Sequence, residues 1–119
     1  MSKILEIGKR VLELEGNELL RHSNLLDDKF ENALNFLYSC KGKVIVTGVG
    51  KSGHICAKIA ATMASTGTPS FFLHPTEALH GDLGMVQKSD VILAISFSGE
   101  SDELIKIMPH LKRFCVQII

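Results

Sequence analysis

The stretch VIVTGVGKSGH, residues 44–54, decides how this chain is read. With Lys43 it opens as KVIVTG, a β-branched apolar run of the kind buried on both faces of a parallel sheet. The run breaks at glycines that have Lys51 and Ser52 between them. SGHICAKIAATMASTG (52–67) follows as a helix, with Ile55, Ile59 and Met63 on one stripe, small residues for close approach to a sheet, and Gly67 at its C-cap. A strand that ends in a glycine turn and enters a helix is how three phosphate-binding patterns are written: for dinucleotides, for nucleoside triphosphates, and for the phosphate of a small sugar.

The same grammar continues outward from this stretch. TPSFFLHP (68–75) reads as a second strand and SDVILAIS (89–96) as a third, with a short irregular or helical piece, TEALHGDLGMV, between them. GESDELIKIMPHLKRF (99–114) is helical, and Pro109 is expected to kink it or start a new segment. CVQII (115–119) reads as a fourth strand. Before all of this, Ile4, Ile7, Val11 and Leu14 recur at helical spacing and predict a helix over about residues 2–23. Asp27 and Asp28 are N-cap candidates for a second helix that ends before Lys41 and Gly42. The expected organisation is one domain: a helical lead-in over 1–42, then a parallel α/β part over 43–119, three layers deep and flavodoxin-like. The chain stops on an apolar strand with no helix after it, so we expect the N-terminal part of a longer domain.

Composition bounds the function. The chain has 119 residues, is 45% hydrophobic and 22% charged, and balances 13 basic against 13 acidic side chains. That profile belongs to a chain with a core, and the zero net charge argues against nucleic acid or an anionic membrane as partner. It also does little to oppose self-association, so further copies of the chain, as a dimer or tetramer, are the expected protein partner. Cys40, Cys56 and Cys115 are odd in number and lack a C-x-x-C spacing. Cys56 and Cys115 lie in apolar surroundings, and the three are read as free thiols of a cytoplasmic protein, the latter two buried. The charged N-terminus is neither signal peptide nor membrane anchor.

The three readings of the glycine turn fare differently. Gly48, Gly50 and Gly53 match G-x-G-x-x-G, but a dinucleotide site also needs an acid at the tip of the second strand, where His74 and Pro75 stand. The nucleoside triphosphate loop needs a glycine five residues before Gly50, and Ile45 occupies that place inside the strand. A purely structural reading, in which the glycines only let helix and strand pack closely, stays open. The second turn, SFSGES at 96–101, again leaves a strand and opens a helix. Ser96, Ser98 and Ser101 bring hydroxyls near a helix N-terminus, and Gly99 allows a tight bend, which suits one phosphate monoester. Read blandly, the serines are ordinary N-caps. Two such turns at the carboxyl ends of strands in one sheet point to the ligand crevice of an open α/β sheet.

Together GVGKSGH, STGTPSFFLHPTEALHGDLGMV and ISFSGESDE resemble the sugar isomerase (SIS) domain of the arabinose 5-phosphate isomerases, a likeness that covers nearly the whole chain. The resemblance implies interconversion of D-ribulose 5-phosphate and D-arabinose 5-phosphate, feeding Kdo and lipopolysaccharide or capsule precursors, with no cofactor required. It implies catalytic roles for Lys51 and Glu103, and substrate contacts from Gly50, Ser52, Gly67, Thr68, His74, His80, Ser96, Ser98 and Ser101. It implies an inhibitory zinc on His74 in some members. Phe97 departs from it, standing where many relatives carry a polar residue. The resemblance also implies a further catalytic Glu and His beyond this stretch, and hence little turnover by these 119 residues alone. The alternative is a sugar-phosphate-binding regulatory SIS module.

The chemistry weighs each residue. Aldose-ketose isomerisation moves a proton between adjacent carbons through an enediol, which needs a base, an acid and a positive charge for the oxyanion. Lys51 sits near a helix start, where the dipole disfavours a cation, so its placement asks for a reason beyond solvation. Glu100, Asp102 and Glu103 are all favoured by the dipole with or without a ligand. The open roles for Glu103 are base, ring-opening acid and positioning group. His74 and His80 are too far apart for an i, i+4 ligand pair and too few for a stable metal site, so both are read as substrate contacts. His22, His54 and His110 are read as surface or capping residues.

Overall fold

Val44, Ile45 and Val46 are wholly buried and divide the interior between them. In the computed structural model, which describes residues 2–119, these residues form β1 (Val44–Thr47). Alternation along the strand sends Ile45 to one face of the sheet and Val44 and Val46 to the other. Ile45 packs with Ala78, Ile92, Leu104, Ile107 and Leu111. Val44 and Val46 pack with Cys56 and Ala60, flanked by Leu37 and Met63. A strand buried on both sides is what its unbroken apolar run requires.

Around β1 the chain builds α3 (Gly50–Ser65), β2 (Ser70–Phe72), α4 (Pro75–Leu79), a 3-10 turn (Asp82–Met85), β3 (Val91–Ala94), α5 (Asp102–Arg113) and β4 (Gln117–Ile118). The sheet order is β2-β1-β3-β4 and every pairing is parallel. Val46 sits opposite Phe72 and Leu93, which sets the tips of β1, β2 and β3 level with one another. α3 lies on one face, while α4 and α5 share the other with Ile45. The three-layer parallel architecture expected from the sequence is therefore present.

The lead-in is helical as its periodicity predicts. α1 (Lys3–Ser23) is capped by the Ser2 hydroxyl, which accepts from the Leu5 N–H, and buries none of its residues. α2 (Asp28–Tyr38) starts where Asp27 accepts from the Lys29 N–H at 3.0 Å. The chain divides into two compact units after Ala33, inside α2. The reason is that Leu37 and Cys40 already belong to the apolar layer beneath β1.

Three local expectations change. α5 runs through Pro109 without a new start. Pro109 is exposed, on the side opposite Leu104, Ile107 and Leu111, so water can serve the carbonyl that loses its donor. Cys115 is exposed, not buried, because it takes the left-handed position after α5, φ 54°, which turns its side chain outward. Only Gln117 and Ile118 of CVQII form regular strand, although Ile119 continues the ladder by donating to the Ile92 carbonyl and accepting from the Ala94 N–H.

At the amino end of the sheet the carboxylate of Asp90, only 2% exposed, organises two loops. It accepts from the backbone N–H groups of Lys43 and Gln87, both at 2.8 Å, and pairs with Lys43 Nζ at 3.4 Å. Gly42 passes so close to Asp90 and Ser89 that no side chain fits there. Asp90→Ala would strand buried donors, and an expected loss of about 3 kcal/mol follows. Chemical denaturation, read against a surface control such as Lys88→Ala, checks it.

Candidate functional site

In open parallel sheets ligands sit at the carboxyl ends of the strands, and here three loops leave the level tips of β1, β2 and β3. The β1 exit is the glycine turn, and its three glycines do different work. A Cβ on Gly48 would stand 2.8 Å from Cys56 Sγ and 2.9 Å from the Ile95 carbonyl oxygen, and one on Gly53 would stand 2.8 Å from the Gly48 carbonyl oxygen. Those two permit close approach. Gly50 has open space around its Cβ position but a φ of 59°, so it supplies conformation, not room. The packing reading therefore holds for Gly48 and Gly53, while Gly50 bends the chain into α3.

α3 starts without a side-chain cap and without an acid in its first turn. Its first N–H groups are left to a ligand or water. Lys51 is exposed in that turn and Ser52 half-buried. A cavity of about 220 Å³ lies beside it, lined by Gly50, Gly53, His54, Ala57, Phe72 and His74. It joins the β1 exit to the β2 exit. His54, read from sequence as a surface or capping residue, is one of its walls.

At the β2 exit His74 caps α4, its Nδ1 accepting from the Thr76 N–H at 3.2 Å. That bond fixes the tautomer, with the proton on Nε2, and Phe72 meets the ring edge-on at 6.2 Å between centroids. His80 closes the other end of α4 and is exposed. With Nδ1 accepting and the proton on Nε2, His74 binds a metal only by giving up its bond to the Thr76 N–H. Among the described residues no group of three or more His, Cys, Asp or Glu is placed to hold an ion.

The β3 exit is the serine turn. Ser96 Oγ accepts from the Gly99 N–H at 3.0 Å and shares a 3.0 Å hydrogen bond with Ser101 Oγ. Ser98 Oγ accepts from the Glu100 N–H at 3.1 Å, and Gly99 takes φ 70°. Ser96 and Ser98 thus shape the turn as acceptors, and one of Ser96 and Ser101 donates to the other, which leaves the Ser98 proton and one of that pair's for a ligand. Ser101 is the N-cap of α5 by position yet makes no side-chain cap bond, which leaves the first N–H groups of the helix open. Glu103 and Asp102 stand in that first turn. Phe97 is fully exposed at the tip of the turn, where its ring contributes no packing.

The glycine and serine turns meet: Gly48 lies against the Ile95 carbonyl, one residue before Ser96. Lys51, Gly50, Ser52, His74, Ser96, Ser98, Ser101 and Glu103 therefore share one end of the sheet. Gly67 and Thr68 do not join them. They follow α3 and precede β2, at the amino end, beside a cavity lined by Tyr38, Cys40, Gly42 and Pro69. A helix that starts at the carboxyl end of one parallel strand has to return its C-terminus to the other end.

Beneath the turns lies Cys56, buried, its thiol donating to the Thr47 carbonyl at 3.3 Å. Burial pushes this thiol above its ordinary value, opposed in part by backbone hydrogen bonds at Ile95 and Cys56 itself. It is held neutral and enclosed.

A parallel sheet with helices on both faces and turns at adjacent strand tips defines a class, the open α/β domains, whose ligands sit at the strand ends. Within that class the chain belongs to the SIS domain family, which it matches over residues 36–119. It is 53% identical over 116 residues to arabinose 5-phosphate isomerase GutQ of Salmonella typhi, covering 98% of this chain and 36% of that protein. It is 51% identical over 114 residues to arabinose 5-phosphate isomerase KdsD of Yersinia pestis, covering 96% and 35%. The chain thus spans about a third of the length of these curated relatives. Among solved structures, that of c3406 from E. coli CFT073 in complex with arabinose 5-phosphate superimposes with a TM-score of 0.82 at 46% identity, covering 99% of this chain and 64% of that one.

Two outcomes test this geometry. Alkylation by iodoacetamide at about pH 8 is expected at Cys115 and not at Cys56 until the protein unfolds, as peptide mass mapping would show. Gly48→Ala is expected to cost about 2 kcal/mol, because its nearest neighbours include backbone that cannot swing aside; an unchanged melting temperature contradicts the close packing.

Proposed function

We propose that this chain supplies the phosphate-binding turn and part of the catalytic apparatus of an isomerase that interconverts D-ribulose 5-phosphate and D-arabinose 5-phosphate. The observation that carries this reading is the serine turn of residues 96–101, with its clustered hydroxyls and uncapped α5 N–H groups, packed against the glycine turn that bears Lys51. The likeness to isomerases of that name supports the choice of substrate.

In this reading the phosphate rests on Ser96, Ser98, Ser101 and the start of α5, where hydroxyl and N–H donors and the helix dipole all favour an anion. The sugar then extends toward the β1 and β2 exits. Lys51 faces the charge that develops on oxygen as the enediolate forms. Glu103 points to the sugar side of its turn, since a carboxylate aimed at the phosphate would be repelled, and it serves proton transfer or ring opening. Gly50 and Ser52 line the turn beside Lys51, and His74 and His80 contact the sugar from the loop after β2. The reaction needs no nucleotide or metal cofactor, because the proton and the electron pair stay within the sugar; zinc on His74 would act only as an inhibitor. The work takes place in the cytoplasm in a homo-oligomer, and its product feeds Kdo or capsule precursors.

Gly67 and Thr68 stand at the other end of the sheet, away from the glycine and serine turns. The reading rests on a coupled assay of the longest form that the gene encodes, run with either pentose 5-phosphate. Lys51→Ala is expected to lower kcat about a hundredfold or more at unchanged fold. A wild-type protein that turns over neither sugar, while binding another sugar phosphate tightly, overturns the proposal.

A further inference from the structure

Thr47 is the last residue of β1 and is 1% exposed. Polar side chains are rarely placed there without a partner, and this one has a specific task. In the parallel ladder the Leu73 N–H donates to the Val46 carbonyl, and the next rung would have the Gly48 N–H donate to the Leu73 carbonyl. The chain has already turned away at Gly48. The Thr47 hydroxyl takes over that rung, donating to the Leu73 carbonyl at 2.7 Å. Leu73 is itself buried and directly precedes His74.

The other side of the same residue is also engaged. The Thr47 carbonyl accepts from the Ile95 N–H at 2.9 Å and from the Cys56 thiol at 3.3 Å. Ile95 directly precedes Ser96. One residue thus ties the exits of all three strands: its carbonyl holds the serine turn, its hydroxyl holds the loop of His74 and His80, and its own chain leads into the turn of Lys51.

We infer that Thr47 is a positioning residue, whose hydroxyl sets the loop after β2 against the glycine and serine turns while its carbonyl sets the serine turn independently. The inference rests on the isomerase reading above for its assay, and on the hydrogen bonds alone for its geometry. The division of labour gives a signature that a general loss of stability lacks. Removing the hydroxyl releases only the His74 loop; the backbone carbonyl, and with it the phosphate turn, stays in place. Misplacing a sugar contact by about an ångström is enough to cost on the order of a hundredfold in rate.

The test compares Thr47→Val, which keeps the shape and loses the donor, with Thr47→Ser, which keeps the donor, in the full product of the gene well below its melting temperature. For Thr47→Val, kcat is expected to fall about tenfold or more while KM moves less than about threefold; Thr47→Ser restores kcat to within about threefold. A folded Thr47→Val with wild-type kcat, or a Thr47→Ser as impaired as Thr47→Val, overturns the inference. A fall confined to KM also overturns it, since that would place the effect on the phosphate turn. Should Thr47→Val fail to fold, Thr47→Ala is read by the same criteria. If the wild-type protein turns over neither pentose 5-phosphate, the isomerase reading fails instead, a result distinguishable from any of these.

Discussion

The fold turns on one close approach: where β1 ends, the backbone of residue 48 passes between Cys56 and the Ile95 carbonyl with no room for a side chain. Because Gly48 clears that gap, β1 can bend into α3 while remaining beside β3, and the two turns share one crevice. Gly53 repeats the constraint one helical turn later by letting α3 settle on the Gly48 carbonyl. The burial of Val44, Ile45 and Val46 then fixes which way the strand faces, with apolar helices on both sides.

The two ends of the sheet have separate chemistry. At the amino end a buried carboxylate, Asp90, gathers backbone donors and a lysine into a closed set of bonds with nothing left over. At the carboxyl end donors remain open: the N-termini of α3 and α5 lack side-chain caps, and Ser96 and Ser98 accept from the backbone of their own turn. The first arrangement holds loops together, and the second is suited to receive an anion. That contrast is why the site belongs at one end of the sheet and not the other.

Much of this was legible in the sequence. KVIVTG, SDVILAIS and the glycine and serine turns read directly, because buried parallel strands are continuous apolar runs and tight turns need glycine. Less legible was what a residue's own neighbours do not determine. Pro109 reads as a kink or a new start, and α5 runs through it without a new start, since its face of the helix meets water. Cys115 reads as buried and is exposed, since the left-handed step after the helix turns it outward. His54 reads as a surface residue and is exposed, and no sign in the sequence shows that it also lines the cavity beside His74.

By itself the sequence determined the class of fold, the two phosphate-suited turns and the family to which they belong, because strand runs, glycine positions and caps are local and repeat in recognisable spacings. Only the tertiary structure decided that Gly67 and Thr68 stand at the far end from Lys51, and that Thr47 joins three strand exits. The parallel pairing of β1 with β2 sets the first, and the register of β2 and β3 beside β1 the second. Both arise from pairing between segments distant along the chain, which no local pattern encodes.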